Sequence, residues 1–154
     1  MSAMGRWMAI DLGDRRIGIA ISDPTGTIAS PAGFLERRAG HRVPITAILE
    51  KATALEARGF VVGLPLDGRG EEGPRAAESR RLAEELTKRT GLEARLVDER
   101  FTTTAAMRAV KALGGSTKGR KGDLDAVAAT VLLQFALQVG LRTPEDAPEA
   151  GDAG

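Results

Sequence analysis

The chain has 154 residues, 42% hydrophobic and 28% charged, a balance that gives one globular domain enough apolar mass for a core. It contains no cysteine and one histidine, His41, which removes disulfide frameworks, thiolate metal sites, cysteine nucleophiles and nearly all imidazole chemistry from consideration. The formal net charge of +1 hides an uneven distribution: residues 143–154 hold Glu145, Asp146, Glu149 and Asp152 without a base, and positions 1–142 carry 22 basic against 17 acidic residues. Seventeen of the basic residues are arginine, whose guanidinium matches phosphate bidentately. An anionic partner such as nucleic acid is one reading of that excess, and ordinary arginine-rich composition is the other.

Met1–Trp7 lacks the long apolar run of a secretory signal, and no segment has the ~18–20 apolar residues of a membrane span. Trp7–Leu12 and Arg16–Ser22 are short runs rich in β-branched residues, and Gly13-Asp14-Arg15 between them predicts a hairpin. Asp23-Pro24-Thr25-Gly26 marks a second turn, followed by a third strand around Thr27–Leu35. Residues 43–57 place Ile45, Ile48, Leu49, Ala52 and Leu55 at helical spacing, with Gly59 as the expected stop. Phe60–Leu64 is apolar throughout, as in a central strand covered on both faces. The polar loop Asp67–Gly73 leads to Pro74 at a helix start, with that helix running to about Arg89. Ala94–Val97 predicts a buried strand, Thr103–Ala112 a helix, and Asp123–Val139 a long final helix capped by Asp123. The tail, residues 141–154, is acidic and rich in Pro, Gly and Ala, and is expected to be disordered. An antiparallel meander followed by strands separated by helices predicts a three-layer α/β domain over residues 1–140. Its mixed five-stranded sheet fits a ribonuclease H-like fold better than a Rossmann fold, which would open βαβ.

With cysteine absent and histidine nearly so, carboxylates are the available catalytic groups. Asp11 lies inside the first strand, where a charge is costly unless paired, hydrogen-bonded or metal-bound; the plainer reading is an Asp that initiates the turn at Gly13. Asp98 and Glu99 end a strand at the carboxyl edge, where open α/β sheets place ligands, or form a solvated pair with Arg100. Asp125 shares a helical face with Ala128, Ala129 and Leu132. It either points to the sheet or answers the helix dipole. If the three acids converge, they form an all-oxygen site that selects Mg²⁺ or Mn²⁺ over zinc and suits phosphodiester hydrolysis. Arg15, Arg16 and Arg100 beside them could grip phosphate or balance the carboxylate cluster when metal is absent. The segment Gly114–Gly122 carries Lys118, Arg120 and Lys121 among four glycines, and is either a solvated loop or one ordered by a nucleic-acid backbone. His41, within a basic run, reads as a surface loop residue.

Four blocks carry a family resemblance. Asp11-Leu12-Gly13-Asp14-Arg15-Arg16-Ile17-Gly18-Ile19-Ala20, followed by Ser22-Asp23-Pro24, resembles the opening of the YqgF/RuvX family. Val61-Val62-Gly63-Leu64-Pro65, Val97-Asp98-Glu99-Arg100-Phe101-Thr102-Thr103 and Lys121-Gly122-Asp123-Leu124-Asp125 with Ala128-Ala129 follow in family order. The resemblance spans about residues 8–138. It implies a ribonuclease H-like domain similar to Holliday-junction resolvases, acting as a divalent-metal-dependent nuclease in 5′-end maturation of pre-16S rRNA in the bacterial cytoplasm. Carried over residue by residue, it makes Asp11, Glu99 and Asp125 the catalytic and metal-holding acids, with Arg16 and Arg100 as motif arginines. The role of Asp98 stays open, as do precursor rRNA against branched DNA and monomer against homodimer. Two readings compete. An actin-like ATPase shares the strand–Asp-x-Gly–strand opening but needs two such domains. A non-catalytic nucleic-acid-binding module would have no need of all three acids.

Overall fold

The computed structural model describes residues 5–37, 42–102 and 121–139. Three strands open the chain, β1 (Arg6–Leu12), β2 (Arg16–Ser22) and β3 (Ala29–Glu36), followed by α1 (Ile45–Ala54), β4 (Ala57–Leu64), α2 (Pro74–Thr90) and β5 (Ala94–Asp98). A 3₁₀ turn at Glu99–Phe101 and the helix α3 (Lys121–Gln138) complete the described elements. The five strands form one sheet in the order β3-β2-β1-β4-β5. The meander pairs antiparallel, whereas β4 and β5 join parallel to the β1 side. The mixed five-stranded α/β sheet is the one the alternation of the sequence predicts.

Side chains along a strand alternate between faces, and this sorts the core into two layers. Met8, Ile10, Leu12, Ile17, Ile19, Phe60 and Val62 pack against Ile48 and Ala52 of α1 and Leu82, Ala83 and Leu86 of α2. Trp7, Ala9, Ala20 and Val61 face the other way and meet Ala129, Leu132, Leu133 and Ala136 of α3. The second layer is the thinner one, built from alanine on both sides, and brings α3 close to the strands. Asp11, one residue past Ile10, falls on the α3 face by the same alternation. No helix of the described residues is long and apolar enough to cross a membrane.

Several boundaries differ from the sequence reading, each for a local reason. Gly59 does not stop α1. The helix ends at Ala54, Glu56 takes a left-handed φ of 57°, and β4 begins at Ala57. Gly59 lies within β4 because the Trp7 ring rests on it: a Cβ there would fall 2.6 Å from the ring. β3 starts at Ala29 rather than Thr27 because Asp23 holds residues 27 and 28 in a turn, accepting from their amides at 2.8 and 2.9 Å and from the Thr25 hydroxyl at 2.5 Å. Those bonds favour the ionised form and lower the Asp23 pKa to about 2. The final helix starts at Lys121, so Asp123 belongs to its first turn and is not the N-cap. The expected helix Thr103–Ala112, the cationic positions Lys118 and Arg120, His41 and the acidic tail lie outside the described residues.

Candidate active site

Asp11 stands near the carboxyl end of the central strand with a glycine on each side. Its cross-strand neighbour on β2 is Gly18. The parallel register that sets Ile10 beside Val62 puts Gly63 of β4 next in line. Both glycines are occupied by approach. A Cβ on Gly18 would collide with the backbone carbonyl of Asp125 and lie 3.2 Å from the Ala126 amide nitrogen. A Cβ on Gly63 would strike the Glu99 carboxyl group, with Cδ at 2.9 Å. The two missing side chains are the slots through which α3 and the segment after β5 bring their acids to Asp11. The sequence carries a signal for this, since glycine within a strand weakens it and marks a close approach, but Gly18 and Gly63 by themselves do not say what approaches.

The structure therefore brings Asp11, Glu99 and Asp125 to one spot. Glu99 hydrogen-bonds Asp11, and its pKa is pushed up to about 9, first by burial, then by that bond and the charge of Asp11. Arg75 opposes the shift and Asp98 adds to it. Glu99 thus keeps its proton at neutral pH, as expected for one of two carboxyl groups sharing a site. The Asp125 carboxyl is also raised by burial, against the opposing hydrogen bond and charge of Arg16. Arg16 Nε donates to Asp125 Oδ2 at 2.9 Å, joining the first residue of β2 to α3 across 109 positions. Ala126 and Ala129 are the buried small residues beneath Asp125, while Ala128, expected on the same close face, is only half-buried at its flank.

Asp98 has a separate task. It accepts from the Arg100 amide at 2.9 Å and from its guanidinium at 2.8 Å, and this pairing lowers its pKa. Arg100, so anchored, reaches over the β4–α2 loop, where a Cβ on Gly70 would lie 3.0 Å from its Nη1. Arg15 is exposed on the β1–β2 turn. Lys121 is the first residue of α3, with its side chain outside what is described. Arg75, missed in the sequence, donates to the Leu12 carbonyl at 3.2 Å and ion-pairs with Asp14.

Among the described residues no three acids stand in a metal-ligating arrangement; Arg16 engages Asp125, and Glu99 hydrogen-bonds Asp11. The donor set nevertheless fits a hard divalent cation. It is entirely carboxylate oxygen, and the proton retained on Glu99 marks negative charge that a cation would offset.

A central strand with an acid near its carboxyl end, paired antiparallel to β2 and parallel to β4, defines a ribonuclease H-like α/β domain. Thermus thermophilus RuvC in complex with Holliday junction substrate superposes with a TM-score of 0.56 at 14% identity, over 88% of this chain and 96% of that one, a likeness of fold. The family described as "RuvX: Holliday junction resolvase" matches residues 5–139, and the chain belongs to that family. Relatives named "Putative pre-16S rRNA nuclease" include those of Clavibacter sepedonicus, 38% identical over 88% of this chain and 84% of its own, and Streptomyces coelicolor, 40% identical over 87% and 80%. One from Rickettsia bellii is 40% identical over 84% of each chain.

Proposed function

We propose that this protein is a divalent-metal-dependent nuclease that hydrolyses phosphodiester bonds of precursor 16S rRNA at its 5′ end, in the cytoplasm, with Asp11, Glu99 and Asp125 as the catalytic carboxylates. The observation that carries the reading is the meeting of these three acids from β1, the turn after β5 and α3 at the end of the sheet. Asp11 and Glu99, as an adjoining pair, and Asp125 would hold Mg²⁺ or Mn²⁺. A divalent ion bound there supplies an activated water and offsets charge on the leaving oxygen. The rest is done by side chains. Arg16 keeps Asp125 turned toward Asp11. Arg15 and Arg100 flank the acids on the β1–β2 turn and after β5, where they can meet substrate phosphates; Lys118, Arg120 and Lys121 are the further candidates the sequence offers for backbone contact.

Branched DNA is the second reading, favoured by the description of the family and by the likeness of fold to RuvC. It uses the same carboxylates, so the two readings separate only by substrate. The purified protein is to be assayed with Mg²⁺ or Mn²⁺ on pre-16S fragments and four-way DNA junctions side by side. Wild type is expected to cut the rRNA precursor at a defined site, and Asp11→Asn and Asp125→Asn to lose at least ~10²-fold in rate, the scale of removing one group that stabilises transition-state charge. Cleavage that survives both substitutions would overturn the active-site assignment, whereas binding of RNA by the wild type with no cleavage of either substrate would leave a non-catalytic binding module in its place. Cutting of junctions alone would move the substrate to branched DNA.

A further inference from the structure

Beside the carboxylates, on the α1/α2 side of the β1–β2 turn, lies an open cavity of about 590 Å³ lined by Asp14, Arg15, Arg37, Arg75, Glu78 and Arg81. Four guanidinium groups face two carboxylates there, so the cavity is cationic. It is also rigid. The Arg37 side chain is 3% exposed and forms a two-pronged pair with Glu78, at 3.1 and 2.5 Å. The same guanidinium donates to the Gly13 carbonyl at 2.9 Å, and the Arg37 amide donates to the Arg15 carbonyl at 2.8 Å. A buried bidentate pair of this kind is costly to break by removing one partner. It fixes the turn that carries Arg15 against α2, which carries Arg75 and Arg81.

The mouth of the cavity is built differently. Arg15 and Arg81 are exposed, and no described residue ion-pairs with either. Arg75 pairs with Asp14, whose side chain is 82% exposed, so that pair is weakly held. Arg75 also reaches the other way, to the Leu12 carbonyl, and its charge acts on Glu99. It is the cation common to the cavity and the catalytic acids. The first turn of α2 adds amides with no capping side chain and no acidic residue within that turn, a favourable setting for an anion already held by arginines.

We propose that this cavity is a second phosphate-binding subsite, which takes a backbone phosphate next to the one being cleaved on Arg15, Arg75 and Arg81. Asp14 is the internal counter-anion of Arg75 that the phosphate replaces. Arg37 and Glu78 hold the wall and do not touch the substrate. This subsite rests on the nuclease reading for its purpose, but its occupancy can be measured without cleavage.

The test is binding of a fluorescently labelled single-stranded RNA of mixed sequence to the full chain in EDTA, followed by anisotropy over a range of salt. Arg15→Ala with Arg81→Ala should weaken binding about tenfold and flatten the log–log salt slope by roughly 0.7 for each single-strand phosphate that is no longer neutralised. Lys88→Ala with Arg89→Ala removes the same charge at the far end of α2, outside the cavity, and should change affinity far less. Asp14→Asn should tighten binding, an effect of opposite sign that misfolding does not produce. Equal losses in the two double variants, or no tightening with Asp14→Asn, would overturn the subsite. If the arginine variants behave as expected while Asp125→Asn still cleaves, the subsite stands and the assignment of the catalytic acids falls. If Asp125→Asn is inactive and the arginine variants bind like the control, the reverse holds.

Discussion

Glu99→Gln should abolish cleavage and, in metal-free buffer, raise the melting temperature above that of the wild type. The two effects have one origin. The Glu99 carboxyl has a pKa of about 9 in the folded protein against an ordinary 4.5, because it is buried beside Asp11. Between those values the folded protein holds a proton that the unfolded chain releases. Wild-type stability therefore falls as pH rises from about 4.5 through about 9, and is fully present only below the lower value. The limiting slope for one proton is about 1.4 kcal/mol per pH unit, and in a chain of this size each kcal/mol corresponds to roughly 2–4 °C in Tm. Glutamine keeps the shape and a hydrogen-bond donor toward Asp11 without the titration, so its advantage should widen from pH 6 to pH 8.5. Adding Mg²⁺ should narrow or reverse the difference, since a ligand that binds only the folded state stabilises by mass action and the glutamine variant lacks one carboxylate. Thermal melts of both proteins at the two pH values, with EDTA and with Mg²⁺, check each part. A gap that does not grow with pH would mean that Glu99 is already ionised near neutrality.

Gly18→Ala should cost both stability and activity although it adds one methyl group and leaves all three acids in place. The new Cβ would overlap the Asp125 carbonyl, a backbone atom that cannot rotate away, so α3 as a whole must lift from β2. The packing of Ala129, Leu132, Leu133 and Ala136 on Ala9, Ala20 and Val61 would loosen with it. Overpacking of this kind destabilises by about 1–3 kcal/mol. The move also carries Asp125 away from Asp11 and Arg16, and a displacement of ~1 Å at a catalytic group can cost on the order of 10²-fold in rate. Gly68→Ala is the comparison, because nothing lies within 4 Å of a Cβ at that position; it should melt and cleave like the wild type. Activity measured well below the lowered melting temperature separates misplacement from unfolding. A Gly18→Ala protein with wild-type cleavage under those conditions would show that Asp125 does not act from its observed place.

Much of the architecture was legible because it follows from short-range rules. Apolar runs of β-branched residues, a Gly-Asp-Arg turn and helical spacing in α1, α2 and α3 are local, and they placed most of the elements within a few residues. The errors were also local in origin but tertiary in cause. Gly59 reads as a helix stop only while Trp7, 52 positions earlier, is out of view. Asp123 reads as a cap because the start of α3 two residues earlier has no marker of its own. The three acids that meet were legible as residue types and through the family motifs. What was not legible is why they can meet: the slots over Gly18 and Gly63, and the reach of Arg75 from α2 to Leu12 and Glu99.

By itself, the sequence determined which chemistry is available. With no cysteine and one histidine, it pointed to carboxylates and arginines, an inventory suited to a hard cation and an anionic substrate. Only the tertiary structure decided the arrangement. Close approach of backbones and side chains across the sheet turns three acids far apart in the chain into one coupled cluster with a retained proton. It also divides the basic excess, nearly invisible in a net charge of +1, into arginines already committed to carboxylates, such as Arg16 with Asp125 and Arg37 with Glu78, and arginines such as Arg15 and Arg81 that face solvent. Composition counts charges, but their partners are set by distance in the folded chain, and distance is fixed by packing.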